Sequence, residues 1–172
     1  MREGELLGLQ WADVDWSAKK ICVRRGLWRG KIDGKWQWTL QKPKTKAAVR
    51  DIDVGDELLQ ELRTHRLVCP KSEFDFVFCT NIGLPLDVRT LMRWHFHPAL
   101  ERAGLRRIRF HDLRHTYASL LIAQKENPKY IQTQLGHSSI KVTFDTYGHL
   151  MEEANPAAAS KLAATVLRAL ST

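Results

Sequence analysis

A chain of 172 residues with 44% apolar content, six Trp and six Phe is long enough to bury a real core and too apolar for a disordered segment. Its net charge of +8 and pI of about 9.6 favour a polyanionic partner such as nucleic acid, although charge alone does not decide it. The three cysteines (Cys22, Cys69, Cys79) lack CxxC spacing and read as reduced thiols of a cytosolic or nuclear-type compartment. Neither a membrane-length apolar run nor a signal-peptide core is expected.

The chain opens directly into helix-like material, with Leu6, Leu7, Leu9 and Trp11 as a core face that has no cap or lead-in, as expected of a piece of a longer protein. Alternation then predicts strands. Ile21, Val23 and Arg25 form a first run and Trp36, Trp38 and Leu40 a second. Ile52 lies two residues past Arg50 in a third. Asp33-Gly34 signals a turn, and Lys42-Pro43-Lys44-Thr45-Lys46 is too polar and Pro-broken to continue a strand. The expectation is a three-stranded antiparallel meander over 20–54.

From Gly55 the period becomes helical, with Leu58, Leu59 and Leu62 as one stripe. Phe74, Phe76, Val77 and Phe78 suggest a short buried extended segment. A helix is expected over 86–103, with Leu91, Trp94 and Leu100 inward and Gly104 at its C-terminal cap. Another spans 113–124 through Leu113, Tyr117, Leu120 and Leu121. Asn127-Pro128 opens a helix that Gly136 ends, and Ser138 or Ser139 starts a short one leading to Tyr147. The Ala-rich stretch 156–170 is helical by propensity.

Three clusters carry chemistry: Phe110-His111-Asp112-Leu113-Arg114-His115-Thr116, Leu135-Gly136-His137-Ser138 and Thr146-Tyr147-Gly148-His149. Breaking a phosphodiester without a metal needs a nucleophile, donors for the charge growing on the non-bridging oxygens, and an acid for the leaving oxygen. An arginine fork binds phosphate oxygens in pairs, a tyrosine leaves a stable ester, and lysine or histidine supplies a proton. Taken singly, each residue also has an ordinary reading. Arg114 could pair with Asp112, His137 could donate to helix-end carbonyls, Tyr147 could sit half-buried in a core, and Lys44 could be one solvated charge in a run. Their joint order is the stronger signal.

That order resembles the tyrosine recombinase family, of the phage-integrase type, from Met1 to about Met151. Met1-Arg2-Glu3-Gly4-Glu5-Leu6 resembles the first arginine box, which would make Arg2 a clamp arginine and Glu5 a structural residue holding the loop by backbone contacts. Lys44 is similar to the hairpin lysine that acts as general acid, with Lys46 as the alternative. His111 and Arg114 match the His-x-x-Arg box, His137 the Leu-Gly-His-Ser position, and Tyr147 the nucleophile. The resemblance implies an α+β, mainly helical domain over 1–172 with a small three-stranded antiparallel sheet at one edge. It further implies that the N-terminal core-binding domain is absent and that 152–172 is a tail helix docking on a neighbouring protomer.

By the same resemblance the activity is metal-independent cleavage and rejoining of duplex DNA through a 3′-phosphotyrosyl link, with no cofactor. Recombination would occur in a homo-tetrameric synaptic complex assembled from free monomers, by a bacterial or phage-encoded enzyme associated with the nucleoid in the cytoplasm. Lys42, Lys46 and the basic stretch Arg102, Arg106, Arg107 and Arg109 are expected at the DNA backbone. Three alternatives remain at this stage. His111-Asp112-Leu113-Arg114-His115 approximates a zinc HExxH helix, though no third ligand is evident. The chain could be a non-catalytic DNA-binding fragment, or a type IB topoisomerase-like enzyme.

Overall fold

The structure is a computed structural model and describes residues 1–43, 45–151 and 168. Helix α1 (Glu3–Leu7) leads into strands β1 (Val14–Asp15), β2 (Lys20–Val23), β3 (Gly26–Ile32), β4 (Lys35–Gln41) and β5 (Arg50–Asp53). Helix α2 (Asp56–Val68) follows. A helical stretch of α3 (Val88–Leu91), a π-turn (Met92–Phe96) and α4 (His97–Arg102) comes next, then α5 (Phe110–Ala123), α6 (Pro128–Leu135) and α7 (Ile140–Tyr147). The described part is thus α+β and mainly helical, with small antiparallel sheets. Among the described residues no helix is long and apolar enough to cross a membrane. The 156–170 helix falls almost wholly outside the described residues, as does Lys44.

The three-stranded sheet is present, but its pairing differs from a meander. Its order is β1-β2-β5, with Ile21 opposite Ile52 and Val23 opposite Arg50, while β3 and β4 form a separate two-stranded hairpin. The sequence reading missed strand β3 because Gly26 and Gly30 dilute its alternation, leaving only Leu27 and Gly30 buried along it. Asp33 (φ 50°) and Gly34 (φ 76°) carry the left-handed pair that a tight hairpin turn requires, so the turn signal was right but joins β3 to β4.

Three apolar clusters hold the elements together. One gathers Leu9, Trp11, Val14, Ile21, Leu59, Leu62 and Val77. Another joins Leu7, Leu27, Phe76 and Leu86. The last unites Ala118, Ile122, Ile131, Leu135 and Tyr147 from α5, α6 and α7. The capping signals hold: Asn127 Oδ1 accepts from Lys129 N at 2.8 Å, and Gly104 and Gly136 end their helices at φ 65° and 66°.

Several inward assignments are corrected. Trp94 is 64% exposed, because the π-turn rotates the middle of its helix, and Leu58 and Phe74 also face solvent. On α5 three of the four residues of the predicted apolar face, Leu113, Tyr117 and Leu120, point outward, while Leu121 packs against the core. The buried stripe is Arg114, Ala118 and Ile122, spaced at i, i+4 and i+8. A helix has one inward stripe, and here an arginine occupies part of it.

Candidate active site

The site is built on a buried ionic joint. Glu5 on α1 accepts from Arg2 N and Arg2 Nη1, both at 2.8 Å. It also accepts from Arg50 Nη2 at 2.9 Å and Arg50 Nη1 at 3.2 Å. Arg50, in β5, reaches further. Its Nε donates to Gln134 O at 2.8 Å and its Nη1 to Ala48 O at 3.0 Å, so one side chain ties α1, β5 and the end of α6. Burial alone would push the Glu5 carboxyl up. The hydrogen bonds from Arg50 and from the Arg2 backbone more than offset that and hold it at about 2. Glu5 does hold the loop by a backbone contact, as expected, and holds two guanidinium groups besides.

Arg114 is the next layer. It is 5% exposed, its Nη2 donates to Leu135 O, and its Nη1 is buried without an acceptor among the described residues. Burial, then the fields of Arg2 and Arg50, lower its guanidinium to about 10. Three arginines within one another's field leave a site short of negative charge. An unpaired buried N–H is costly, which makes it a position that an anionic oxygen would satisfy.

The histidines and the tyrosine sit in the field of these arginines. The Tyr147 hydroxyl lies 2.9 Å from His115 Nδ1, in a shared hydrogen bond, and its side chain is 4% exposed. Burial raises its phenol, with Arg114 acting in the opposite sense. The His111 and His115 rings meet edge-on at 5.0 Å. The His137 ring lies parallel to Tyr147 at 6.4 Å, and its Nδ1 shares a 2.9 Å hydrogen bond with the Thr143 hydroxyl. Burial, then Arg114, Arg2 and Arg50, push His137 down to about 4, so it is neutral at pH 7. The same kinds of cause, burial and then His115 and Arg114, lower His111.

Gly136 explains why α6 ends where it does. A Cβ there would lie 2.9 Å from Arg50 Cδ and 3.0 Å from Ala47 O, so only glycine both turns the chain and admits the arginine. Gln132 then fixes the next residue, its Nε2 donating to His137 O at 3.0 Å while His137 N donates to Gln132 O at 3.1 Å.

The structure therefore brings Arg2, Arg114, His111, His137 and Tyr147 into one region. Lys42 shares a cleft of about 440 Å³ with Arg2, Glu5 and Arg25. Lys46 lies in an adjoining cleft with Lys42, Arg24 and Arg25. Arg106, Arg107 and Arg109 belong to the exposed approach to α5, where Arg107 donates to His97 Nδ1 at 3.0 Å and Arg109 pairs with Asp112 at 2.8 Å. Sequence reasoning missed Arg50 and considered His115 only as a ligand in the zinc alternative. The signal for His115 was its i+4 spacing from His111; for Arg50 it was a charge in phase with Ile52. Among the described residues, no three His, Cys, Asp or Glu side chains converge as metal ligands.

This fold is that of a tyrosine recombinase catalytic domain. The chain belongs to the phage integrase family, whose model matches residues 1–154. It is 32% identical over 168 residues to a tyrosine recombinase XerC-like protein of Caldanaerobacter subterraneus, covering 88% of this chain and 43% of that protein. To the ICEBs1 integrase of Bacillus subtilis it is 32% identical over 173 residues, covering 94% and 45%. The chain thus spans less than half the length of these relatives. Among solved structures, the Tn1549 transposon integrase in complex with circular intermediate DNA superposes with a TM-score of 0.71 at 23% identity, covering 96% of this chain and 56% of that one.

Proposed function

We propose that this chain is the catalytic part of a site-specific DNA recombinase, an integrase of a phage or other mobile element. The observation that carries this reading is the buried Nη1 of Arg114, which lacks an acceptor among the described residues in a site where Arg2, His111, His137 and Tyr147 gather. A phosphodiester supplies the missing acceptor. Arg114 and Arg2 hold its non-bridging oxygens, and Tyr147 attacks phosphorus. Its proton passes to His115 across the 2.9 Å contact, with His111 beside it. The 5′ oxygen leaves with a proton from Lys44 or Lys46. The bond energy stays in the 3′-phosphotyrosyl ester, so the reverse attack by a 5′-hydroxyl rejoins a strand without nucleotide hydrolysis. His137 donates to the charged intermediate, and preorganised donors of this kind are worth roughly 10²–10³ in rate.

The partner is duplex DNA, as it is for the Tn1549 integrase and for the XerH recombinase bound to its difH substrate. Lys42, Lys46, Arg106, Arg107 and Arg109 contact its backbone. Recombination takes place in a homo-tetramer joined through residues 152–172, with a core-binding domain outside this chain completing the clamp, in the cytoplasm. Covalent trapping tests the chemistry: nicked suicide duplexes drawn from a randomised pool, read as a slow band on a denaturing gel. The band is expected with the native chain and lost in Tyr147→Phe. A band that persists in Tyr147→Phe refutes the assignment of the nucleophile.

A further inference from the structure

Two of the three cysteines, which the proposed chemistry does not use, meet at a junction between the end of α2 and the turn that precedes α3. Cys69 caps the C-terminus of α2, and Cys79 opens a tight turn through its bridge to Pro85. Their sulfurs are 3.9 Å apart, in van der Waals contact. Both lie near one carbonyl, Pro70 O, at 3.7 and 3.8 Å. Neither thiol is sealed from solvent, and Cys22 is remote in β2. A disulfide needs about 2.05 Å between sulfurs, so bonding would draw these two in from van der Waals contact.

The position gives such a bond a consequence. Cys69 packs against the first apolar cluster and Cys79 against the one containing Leu7 and Phe76. Between them runs the strap 70–78, which is pinned to the segment after α1. Val77 N donates to Leu9 O at 2.9 Å, Trp11 N to Asp75 O at 3.0 Å, and Gln10 Nε2 to Phe74 O at 2.7 Å. The strap is therefore tied to the segment that follows the short helix of Glu5, and Phe76 packs with Leu7 at that helix's end.

We propose that Cys69 and Cys79 form a reversible dithiol–disulfide couple, oxidised by a low-molecular-weight disulfide such as oxidised glutathione, which locks the strap to the end of α2. The Cys69 thiolate attacks the glutathione disulfide, giving a mixed disulfide and one glutathione thiolate. Cys79 then attacks the Cys69 sulfur and expels the second. Two protein thiols lose two electrons and two protons, and one oxidised glutathione becomes two reduced ones. Burial, then the neighbouring Cys69, raise the Cys79 thiol to about 11, which disfavours its thiolate. In a reducing compartment the dithiol predominates and the link forms under oxidative load.

The test is thiol trapping of the folded chain across glutathione buffers, from fully reduced to fully oxidised, followed by alkylation, intact mass and non-reducing digestion. Oxidised buffer should lower the alkylatable thiols from three to one, leaving Cys22, and yield a peptide linking Cys69 to Cys79. Dithiothreitol should restore all three. The unfolding midpoint should rise by several degrees on oxidation and return on reduction, as expected for a closed loop. Cys22→Ser, which leaves the junction untouched, should go from two alkylatable thiols to none with the same linked peptide, and Cys79→Ser should stop at a glutathione adduct on Cys69. Three alkylatable thiols in oxidised buffer, a link that includes Cys22, or a link formed only in urea would overturn the proposal. So would a link that leaves the midpoint unchanged or lowered.

Discussion

Replacing Arg50 with methionine keeps most of the side-chain volume but strips the charge from the joint beneath the site. Arg50 makes two hydrogen bonds to Glu5 and one each to Gln134 O and Ala48 O, and its side chain is 2% exposed. Breaking a buried pair by removing one partner costs about 3–5 kcal/mol, because the other charge stays behind. The carboxylate gives an upper figure, because Arg2 shares in holding it down. Glu5 falls from its ordinary 4.5 to about 2, and at about 1.4 kcal/mol per pH unit that difference corresponds to about 3 kcal/mol. For a domain of this size, roughly 2–4 °C of midpoint follows each kcal/mol, so Arg50→Met should lower it by on the order of 10 °C.

Urea unfolding of Arg50→Met, Glu5→Gln and the double variant measures the coupling. Each single change strands a buried group, whereas the double change removes both charges. The double variant should therefore be more stable than the sum of the singles predicts, by about 2 kcal/mol or more. Because the folded carboxyl is depressed, its contribution is fully present above about pH 4.5 and is lost as pH falls toward 2. The gap between native and Arg50→Met should narrow over that window. Additive losses, or a single-variant cost below about 1 kcal/mol, would refute the stranded-charge argument.

Three further outcomes are expected. Gly136→Ala forces a left-handed backbone on a side chain and drives its Cβ into Arg50, which should cost about 2–4 kcal/mol by urea unfolding. His137, whose folded value near 4 lies below the ordinary 6.5, resists protonation in the folded state. Stability should be complete above pH 6.5 and decline toward pH 4. About 3 kcal/mol bounds that loss, and solvent around the partly exposed ring reduces it to about 1–2 kcal/mol. His137→Gln should flatten the slope there. Finally, His115→Phe deletes the hydrogen bond to Tyr147, and single-turnover cleavage of a suicide duplex should slow by ~10² or more while DNA affinity holds. An unchanged rate would exclude His115 from proton transfer.

The elements closest to the site were the most legible in the sequence. Asn127-Pro128 and Gly136 bounded α6 because capping chemistry is local, and the order of Arg2, His111, Arg114, His137 and Tyr147 stood out because it resembles the boxes of the tyrosine recombinase family. What failed was non-local. Strand β2 pairs with β5 across the whole hairpin between them, and no property of Lys20–Val23 itself names that partner. The period of α5 was right and its face wrong, since Leu113 and Leu120 outweigh Ala118 in any local count of apolar residues. Arg50 resembled an ordinary solvated strand charge, and its partner Glu5 lies 45 residues away.

That blind spot is also where fold and site become one object. Arg50 Nε donates to Gln134 O and Arg114 Nη2 to Leu135 O, so two arginines from different elements hold consecutive carbonyls at the end of α6. Gly136 turns the chain there, and His137 follows at once. Displacing Arg50 would move the carbonyls, the carbonyls would move Arg114, and the turn would carry His137 with them. In a close-packed interior such a shift is not absorbed locally. Substitutions at Glu5 or Arg50, neither of which has an assigned part in the chemistry, should therefore reduce cleavage in the fraction of molecules that stays folded.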